Sequence, residues 1–202
     1  MLRPLTVCAT LCLPHIATAQ SVPDIVADAV SNHILPRYAE LVADTATLAE
    51  VTQSACLPGD PALQAAFNEA FDAWIGVSHI TFGPAEADGR FFAMAFWPDT
   101  RGMTGRSLSG LISDEDAVVN NAEEYATVSV AARGFYAMEF LLFDPTVSTT
   151  GTDDYRCTLA QAIATDIAAT ATIISDGWVD TYADLMLSAG TNARFQSPEE
   201  AI

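Results

Sequence analysis

The sequence centres on the stretch Arg133-Gly134-Phe135-Tyr136-Ala137-Met138-Glu139-Phe140-Leu141-Leu142-Phe143, which is strongly apolar and carries one acid. We predict that it ends a single helix running from Ala122 to Phe143. Spacings of four and three residues then place six side chains on one face: Tyr125, Ser129, Ala132, Tyr136, Glu139 and Phe143. The apolar neighbours leave Glu139 little access to water in this interpretation.

A carboxylate removed from water is costly unless it is paired, hydrogen-bonded, protonated or bound to a metal. Two interpretations of Glu139 follow. It is either the structural partner of an arginine such as Arg101, Arg106 or Arg133, or it forms half of a binding site together with Tyr136. Neighbouring segments would supply the other half of that site.

The segment Gly134-Phe135-Tyr136-Ala137-Met138-Glu139 resembles the Gly-x-His-x-x-Glu signature of the imelysin-like proteins, also classed as peptidase family M75. Two further motifs occur in the family's order: Phe82-Gly83-Pro84, and Phe96-Trp97-Pro98-Asp99 followed by Arg101 and Arg106. The sequence departs from the signature in one residue, because Tyr136 replaces the His. The resemblance implies a fold of two helical bundles, of which this chain covers the N-terminal half.

Apolar spacing predicts four long helices, and hence an all-α four-helix bundle that resembles the first bundle of the imelysin fold. The first begins after Ser21, fades near Cys56 and is kinked or broken at Pro36. The second begins at Asp60-Pro61 and ends at His79, near its buried side. The third is Ala122 to Phe143, and the last runs from Asp153 to Gly190.

The connection from Gly83 to Ser113 has no long helical pattern, so we expect one long irregular crossover. A short helix is predicted to begin at Ser113-Asp114-Glu115-Asp116, because acids are favourable near a helix N-terminus. Long loops in compact domains are often functional. The arginines of this loop either pair with nearby acids or contribute to a site.

Residues 1–19 are predicted to be a signal peptide, with Arg3, an apolar core from Leu5 to Ile16 and the cleavage site Ala17-Thr18-Ala19. Residues 20–190 then form the bundle, and residues 191–202 form an irregular tail that we expect to be mobile, with the domain truncated. No later segment is predicted to span a membrane. We therefore expect a periplasmic or secreted protein, soluble after cleavage.

The formal net charge is −18, from eight basic residues, all Arg, against 26 acids. This balance excludes nucleic acid as a partner, because no basic stripe could neutralise phosphates. Acidic excess is typical either of proteins that attract cations or of surfaces suited to salty surroundings.

Cys56 and Cys157 remain after signal cleavage, and in an oxidising compartment such a pair favours a disulfide. The alternative, a metal site with two Cys ligands, lacks the close C-x-x-C spacing that zinc sites favour.

No H-E-x-x-H or G-x-S-x-G motif is present, so we predict no catalytic residue. The remaining candidates are hard oxygen donors with one imidazole. We predict that Glu139, Tyr136 and His79 bind a metal, with Asp99 and Arg101 lining the same pocket. Carboxylate and phenolate ligands favour iron over copper.

The resemblance implies a role in bacterial iron uptake, so we expect an exported protein that binds iron as an ion or a small chelate. It would act with an envelope partner of iron uptake. The alternatives are an exported M75-type metallopeptidase and a non-catalytic bundle that binds a partner protein.

Overall fold

The computed structural model describes residues 20–202, and within that range it contains helices and no strand. The all-α prediction is confirmed. The predicted signal peptide, residues 1–19, lies outside the described residues. The α-helices are α1 Val22–Asp28, α2 Leu35–Val51, α3 Pro61–Val77, α4 Arg90–Met94, α5 Met103–Asp114, α6 Ala122–Tyr125, α7 Gly134–Phe143, α8 Asp153–Gly177 and α9 Ala183–Leu187.

Helices α1 and α2 are continuous through a π-helical turn, Ala29–Ile34. The Ser21 hydroxyl caps the N-terminus by accepting a hydrogen bond from the Asp24 backbone N–H. Of the kink or break predicted at Pro36, the break is absent, because the proline lies in the first turn of α2, directly after the π-helical turn. Prolines and π-helical turns are both common sites of helix kinks.

Helix α3 forms an antiparallel hairpin with α2, and its N-terminus is confirmed as predicted. The Asp60 carboxylate accepts a hydrogen bond from the Ala62 N–H, and Pro61 occupies the first helical turn. The aromatic side chains of α3 then cover α7. Phe71 lies 5.4 Å and Trp74 lies 6.2 Å from Phe135, measured between ring centroids.

The crossover is not wholly irregular, since it contains α4 and the twelve-residue helix α5. Leu108 and Ile112 of α5 are buried in the core. Helix α5 ends at Asp114, and Glu115 follows in a left-handed conformation with φ of 46°. Asp116 then caps the short 3-10 helix Ala117–Asn120, because its carboxylate accepts a hydrogen bond from the Val118 N–H at 3.0 Å. The short helix predicted after these acids is therefore confirmed as a 3-10 helix, whereas α5, which precedes them, was not predicted.

The long helix predicted from Ala122 to Phe143 is wrong. Helix α6 ends at Tyr125, and a short 3-10 turn and an extended Arg133 separate it from α7. Gly134 has φ of 74°, and a Cβ there would collide with the backbone of Ala93 and Met94. The close approach of that backbone segment requires glycine and ends any helix running through this point.

Helix α8 is the central element of the core and continues through a π-helical turn, Trp178–Tyr182, into α9. Its predicted apolar face is confirmed, since every member is buried: Leu159, Ile163, Ile167, Ala171, Ile174 and Trp178. The combined helix Asp153–Leu187 has the length and composition to cross a membrane, and 56% of its apolar window is buried within the protein. Core helices commonly meet the same criteria.

The predicted disulfide is present between Cys56 and Cys157, whose Cα atoms are 4.8 Å apart. It joins the chain just after α2 to the first turn of α8. The tail, residues 191–202, is largely irregular but packs on the bundle. Phe195 is buried, with its ring 6.0 Å from that of Tyr182, so the tail differs from the mobile segment expected.

Candidate functional site

An ion pair at the start of α7 uses Arg133, and it thereby removes this residue from the possible partners of Glu139. Arg133 donates two hydrogen bonds to Asp166 of α8, from Nε to Oδ2 at 2.9 Å and from Nη2 to Oδ1 at 2.7 Å. Both side chains are largely buried. Burial raises the pKa of the Asp166 carboxyl, and the Arg133 guanidinium opposes that shift. The geometry is the bidentate fork that makes arginine–carboxylate pairs specific.

The same corner holds Tyr125, whose hydroxyl donates to the Ala132 carbonyl at 2.6 Å. Burial raises the pKa of Tyr125, and the nearby Asp166 charge adds to the effect. Tyr125 therefore fastens the turn before α7 and does not lie on one helical face with Tyr136. The predicted face from Tyr125 to Phe143 does not exist, because the chain between them is not one helix.

Glu139 is half-buried in the middle of α7. Two of its proposed arginine partners are engaged elsewhere: Arg133 pairs with Asp166, and Arg106 donates to the backbone carbonyls of Arg101 and Gly102. The third, Arg101, joins no ion pair within residues 20–202. Within residues 20–202, Glu139 makes neither an ion pair nor a side-chain hydrogen bond. The structural interpretation of Glu139 as a buried arginine partner is therefore wrong for this conformation.

Tyr136 precedes Glu139 by one turn, so the two side chains are neighbours on α7. Its ring packs at 6.0 Å from Phe71 and at 5.8 Å from Trp97, measured between centroids. Partial burial raises the pKa of Tyr136, and the charge of Glu139 raises it further. The phenol is therefore neutral at neutral pH, and a metal ion bound to its oxygen must displace the proton.

Trp97 brings the crossover loop against α7, and with it Asp99 and Arg101. The Asp99 carboxylate has a structural role, since its Oδ1 accepts from the Met103 N–H and its Oδ2 from the Thr104 N–H, both at 2.8 Å. These hydrogen bonds lower the pKa of Asp99. Arg101 is exposed, and its side chain joins no ion pair in the part of the chain that the structure describes.

An open cavity of about 350 Å³ lies at this loop. Its walls are Phe96, Pro98, Asp99, Thr100, Arg101 and Met103. The peptide bond between Trp97 and Pro98 is cis, and the Trp97 side chain is 66% exposed. The loop thus places an accessible indole against Tyr136, and it also carries the exposed Arg101.

His79 does not join this group. Helices α3 and α7 are antiparallel, since Phe67 contacts Phe143 and Phe71 contacts Tyr136. The rise from Phe71 to the end of α3 is roughly 9 Å, and His79 lies beyond that end. Its side chain is exposed, contrary to the sequence interpretation, and faces His33.

Within residues 20–202, no cluster of three or more His, Cys, Asp or Glu side chains is placed to hold a metal ion. The structure therefore keeps Tyr136 and Glu139 one turn apart on α7 and packs Trp97 of the crossover loop against Tyr136, whereas His79 lies apart from them. The cavity that Asp99 and Arg101 line does not include Tyr136 or Glu139.

The Arg133–Asp166 pair was missed in the sequence. The sequence contained a signal for this pair, because Asp166 shares the buried face of α8 with Ile163, Ile167 and Thr170. An acid on the buried face of a helix predicts a cationic partner.

The family model for imelysin, peptidase family M75, matches residues 34–202. A crystal structure of an imelysin-like protein from Psychrobacter arcticum 273-4 superposes with a TM-score of 0.75 at 19% sequence identity. The match covers 93% of this chain and 60% of that one, so this chain spans about three fifths of the solved protein. No curated protein matches the sequence. Because the family model covers most of its length, the chain belongs to the imelysin family.

Proposed function

We propose that this chain is an exported metal-binding protein of the imelysin type, associated with iron uptake, and that Tyr136 and Glu139 are its iron ligands. The observation that carries the proposal is Glu139, a half-buried carboxylate without a counter-charge among the described residues. A carboxylate partly withdrawn from water is stabilised by a bound cation. The Tyr136 oxygen, one turn away, is the second donor.

The donor chemistry supports ferric iron. Carboxylate and phenolate oxygens are hard ligands, which favours a small, highly charged cation over soft metals. Two protein ligands leave the other coordination positions to water or to an external anion. The exposed guanidinium of Arg101 belongs to the loop whose Trp97 packs against Tyr136, and its positive charge suits an anionic chelate of iron. Asp99 contributes by fixing that loop to α5 through its two backbone hydrogen bonds.

The direct test is to add ferric nitrilotriacetate to the purified chain and to record the visible absorption spectrum. Coordination of the Tyr136 phenolate to iron is expected to give a charge-transfer band that Tyr136→Phe removes. Glu139→Gln should abolish iron binding with the fold intact. Matched controls are Tyr182→Phe, at another half-buried tyrosine, and Glu124→Gln, at an exposed acid, and both should keep the band.

Trp97 supplies a second measurement, because the other two tryptophans, Trp74 and Trp178, are buried. Iron at Tyr136 should quench the long-wavelength emission of Trp97. A band that persists in Tyr136→Phe, or a native chain that takes up no iron, overturns the proposal. Proteolysis that a chelator abolishes would instead support the metallopeptidase alternative.

Export is tested separately by intact mass. A secreted product beginning at Gln20 is expected, and a retained N-terminus would contradict the export part of the proposal.

A further inference from the structure

Two histidines that lie 46 residues apart in the sequence meet on the surface of the bundle. The Nε2 atom of His33 is 3.0 Å from the Nε2 atom of His79, and the ring centroids are 5.1 Å apart. His33 belongs to the π-helical turn between α1 and α2, and His79 follows the end of α3. The pair lies beyond the end of α3, away from Tyr136 and Glu139.

The backbone holds both rings in place. Each histidine is adjacent to a buried isoleucine: Ile34 is 4% exposed and Ile80 is 3% exposed. A backbone hydrogen bond from the Ile80 N–H to the Val77 carbonyl, at 2.8 Å, tightens the turn that carries His79. The π-helical turn sets the direction of His33. The two donors are therefore positioned by the core and not by the exposed surface.

Their separation fits metal coordination. Two nitrogens bound at 2.0–2.1 Å to one ion lie about 2.9 Å apart at a right angle, and about 3.3 Å apart at a tetrahedral angle. The observed distance falls between these values. Imidazole nitrogens are also donors that zinc, copper and nickel accept readily.

We propose that His33 and His79 form a bidentate site for a borderline divalent cation such as Cu²⁺ or Zn²⁺, separate from the iron site on α7. No third His, Cys, Asp or Glu of residues 20–202 completes the cluster, so water or an external ligand fills the other positions. The protein charge of −18 draws cations to the surface. The nearby Arg37 guanidinium is offset by Glu40, at 2.7 Å.

The site is tested on the full chain without an oligohistidine tag, carrying His15→Gln so that His33 and His79 are its only histidines. We expect one Cu²⁺ per chain by calorimetry, and an electron paramagnetic resonance spectrum with coupling to two nitrogens. Zn²⁺ should compete for the same site, with lower affinity. His33→Asn and His79→Asn should each weaken binding roughly 100-fold, because the second ligand then no longer binds intramolecularly.

Glu139→Gln and Tyr136→Phe serve as controls and should leave Cu²⁺ binding unchanged. Circular dichroism of the two asparagine variants checks that the helices persist. Binding that is non-stoichiometric, that shows fewer than two coupled nitrogens, or that survives both asparagine substitutions overturns the proposal. The failure of iron binding on α7 would not affect this result.

Discussion

The two charges of the α7 region are treated in opposite ways. Arg133, just before the helix, is matched inside the protein by Asp166 through two hydrogen bonds. Glu139, further along the same helix, is half-buried and has no such partner among the described residues. The difference teaches that a charged side chain near the core points to a functional site only if no other residue of the protein pairs with it. The arginine is structural, and the carboxylate is the group for which we propose a bound ligand.

The largest effect is expected from breaking the internal pair. Asp166→Ala leaves the buried Arg133 without a counter-charge and should lower the free energy of unfolding by about 3–5 kcal/mol. Urea denaturation measures this loss. Asp176→Ala, at an exposed acid of the same helix, is the control and should change stability by less than about 0.5 kcal/mol.

The pair is also testable by replacement. Arg133→Met combined with Asp166→Leu should recover much of the lost stability, because neither charge is then buried alone. A single Asp166→Ala change without a measurable cost would show that the pair is not buried in solution.

The second-largest loss of stability is expected at Gly134, which directly follows Arg133 and precedes Glu139 on α7. Gly134→Ala places a Cβ at positive φ against the backbone of Ala93 and Met94, and should cost about 3 kcal/mol. Gly110→Ala is the matched control, since its Cβ would meet no atom within 4 Å in α5. That substitution should raise stability by up to about 1 kcal/mol in thermal denaturation. Equal effects of the two substitutions would contradict the close approach at Gly134.

The cost of burying an ionised group can also be tested at a tyrosine. Burial raises the pKa of Tyr38 to about 12, whereas an unfolded tyrosine titrates near its ordinary value of 10.0. Because the folded pKa is the higher one, this stabilisation is complete below pH 10 and is lost as the pH rises to about 12. The expected loss is about 2–3 kcal/mol over that window.

Tyr38→Phe should flatten the pH dependence, as measured by urea denaturation at pH 9 and pH 11. It should cost little at neutral pH, because the Tyr38 hydroxyl has no hydrogen-bond partner within the described chain. An unchanged slope in the variant would refute the assignment to Tyr38.

The smallest effect is expected at Glu139 itself. Glu139→Gln should change the free energy of unfolding by no more than about 0.5 kcal/mol, since no internal partner is lost. Denaturant titration of metal-free protein gives the value. A loss above about 2 kcal/mol would mean that Glu139 has a structural partner, and the contrast with Asp166 would fail.

The sequence predicted the helices that bury a continuous stripe. The apolar residues of α3 and α8 repeat at helical spacing, so the course of both helices and the buried face of α8 followed directly. The C-terminal end of α3 did not, because Ile75 and His79 are exposed. Helix α5 was missed because Gly102, Gly105 and Gly110 obscure its pattern. The break before α7 was missed because spacing alone does not show that Gly134 adopts positive φ.

The candidate site was predictable in part. Tyr136 and Glu139 are neighbours by helix geometry, which the sequence contains. The separation of His79 depends on the antiparallel packing of α3 and α7, and the engagement of Arg133 depends on Asp166, 33 residues away. Such long-range relations arise from tertiary structure and have no local pattern.

The Cys56–Cys157 bridge closes residues 56–157 into a covalent ring. The ring contains the crossover loop, α7 and the two contrasted charges, Arg133 and Glu139, whereas Asp166 lies outside it. A protease that cuts the ring once, for example at the exposed Phe92 or Trp97, opens it without releasing either fragment. The nicked protein keeps its mass in a non-reducing gel and separates into two pieces only after reduction. Because the pieces stay tethered, a single cut in the loop beside Tyr136 does not by itself disperse the bundle.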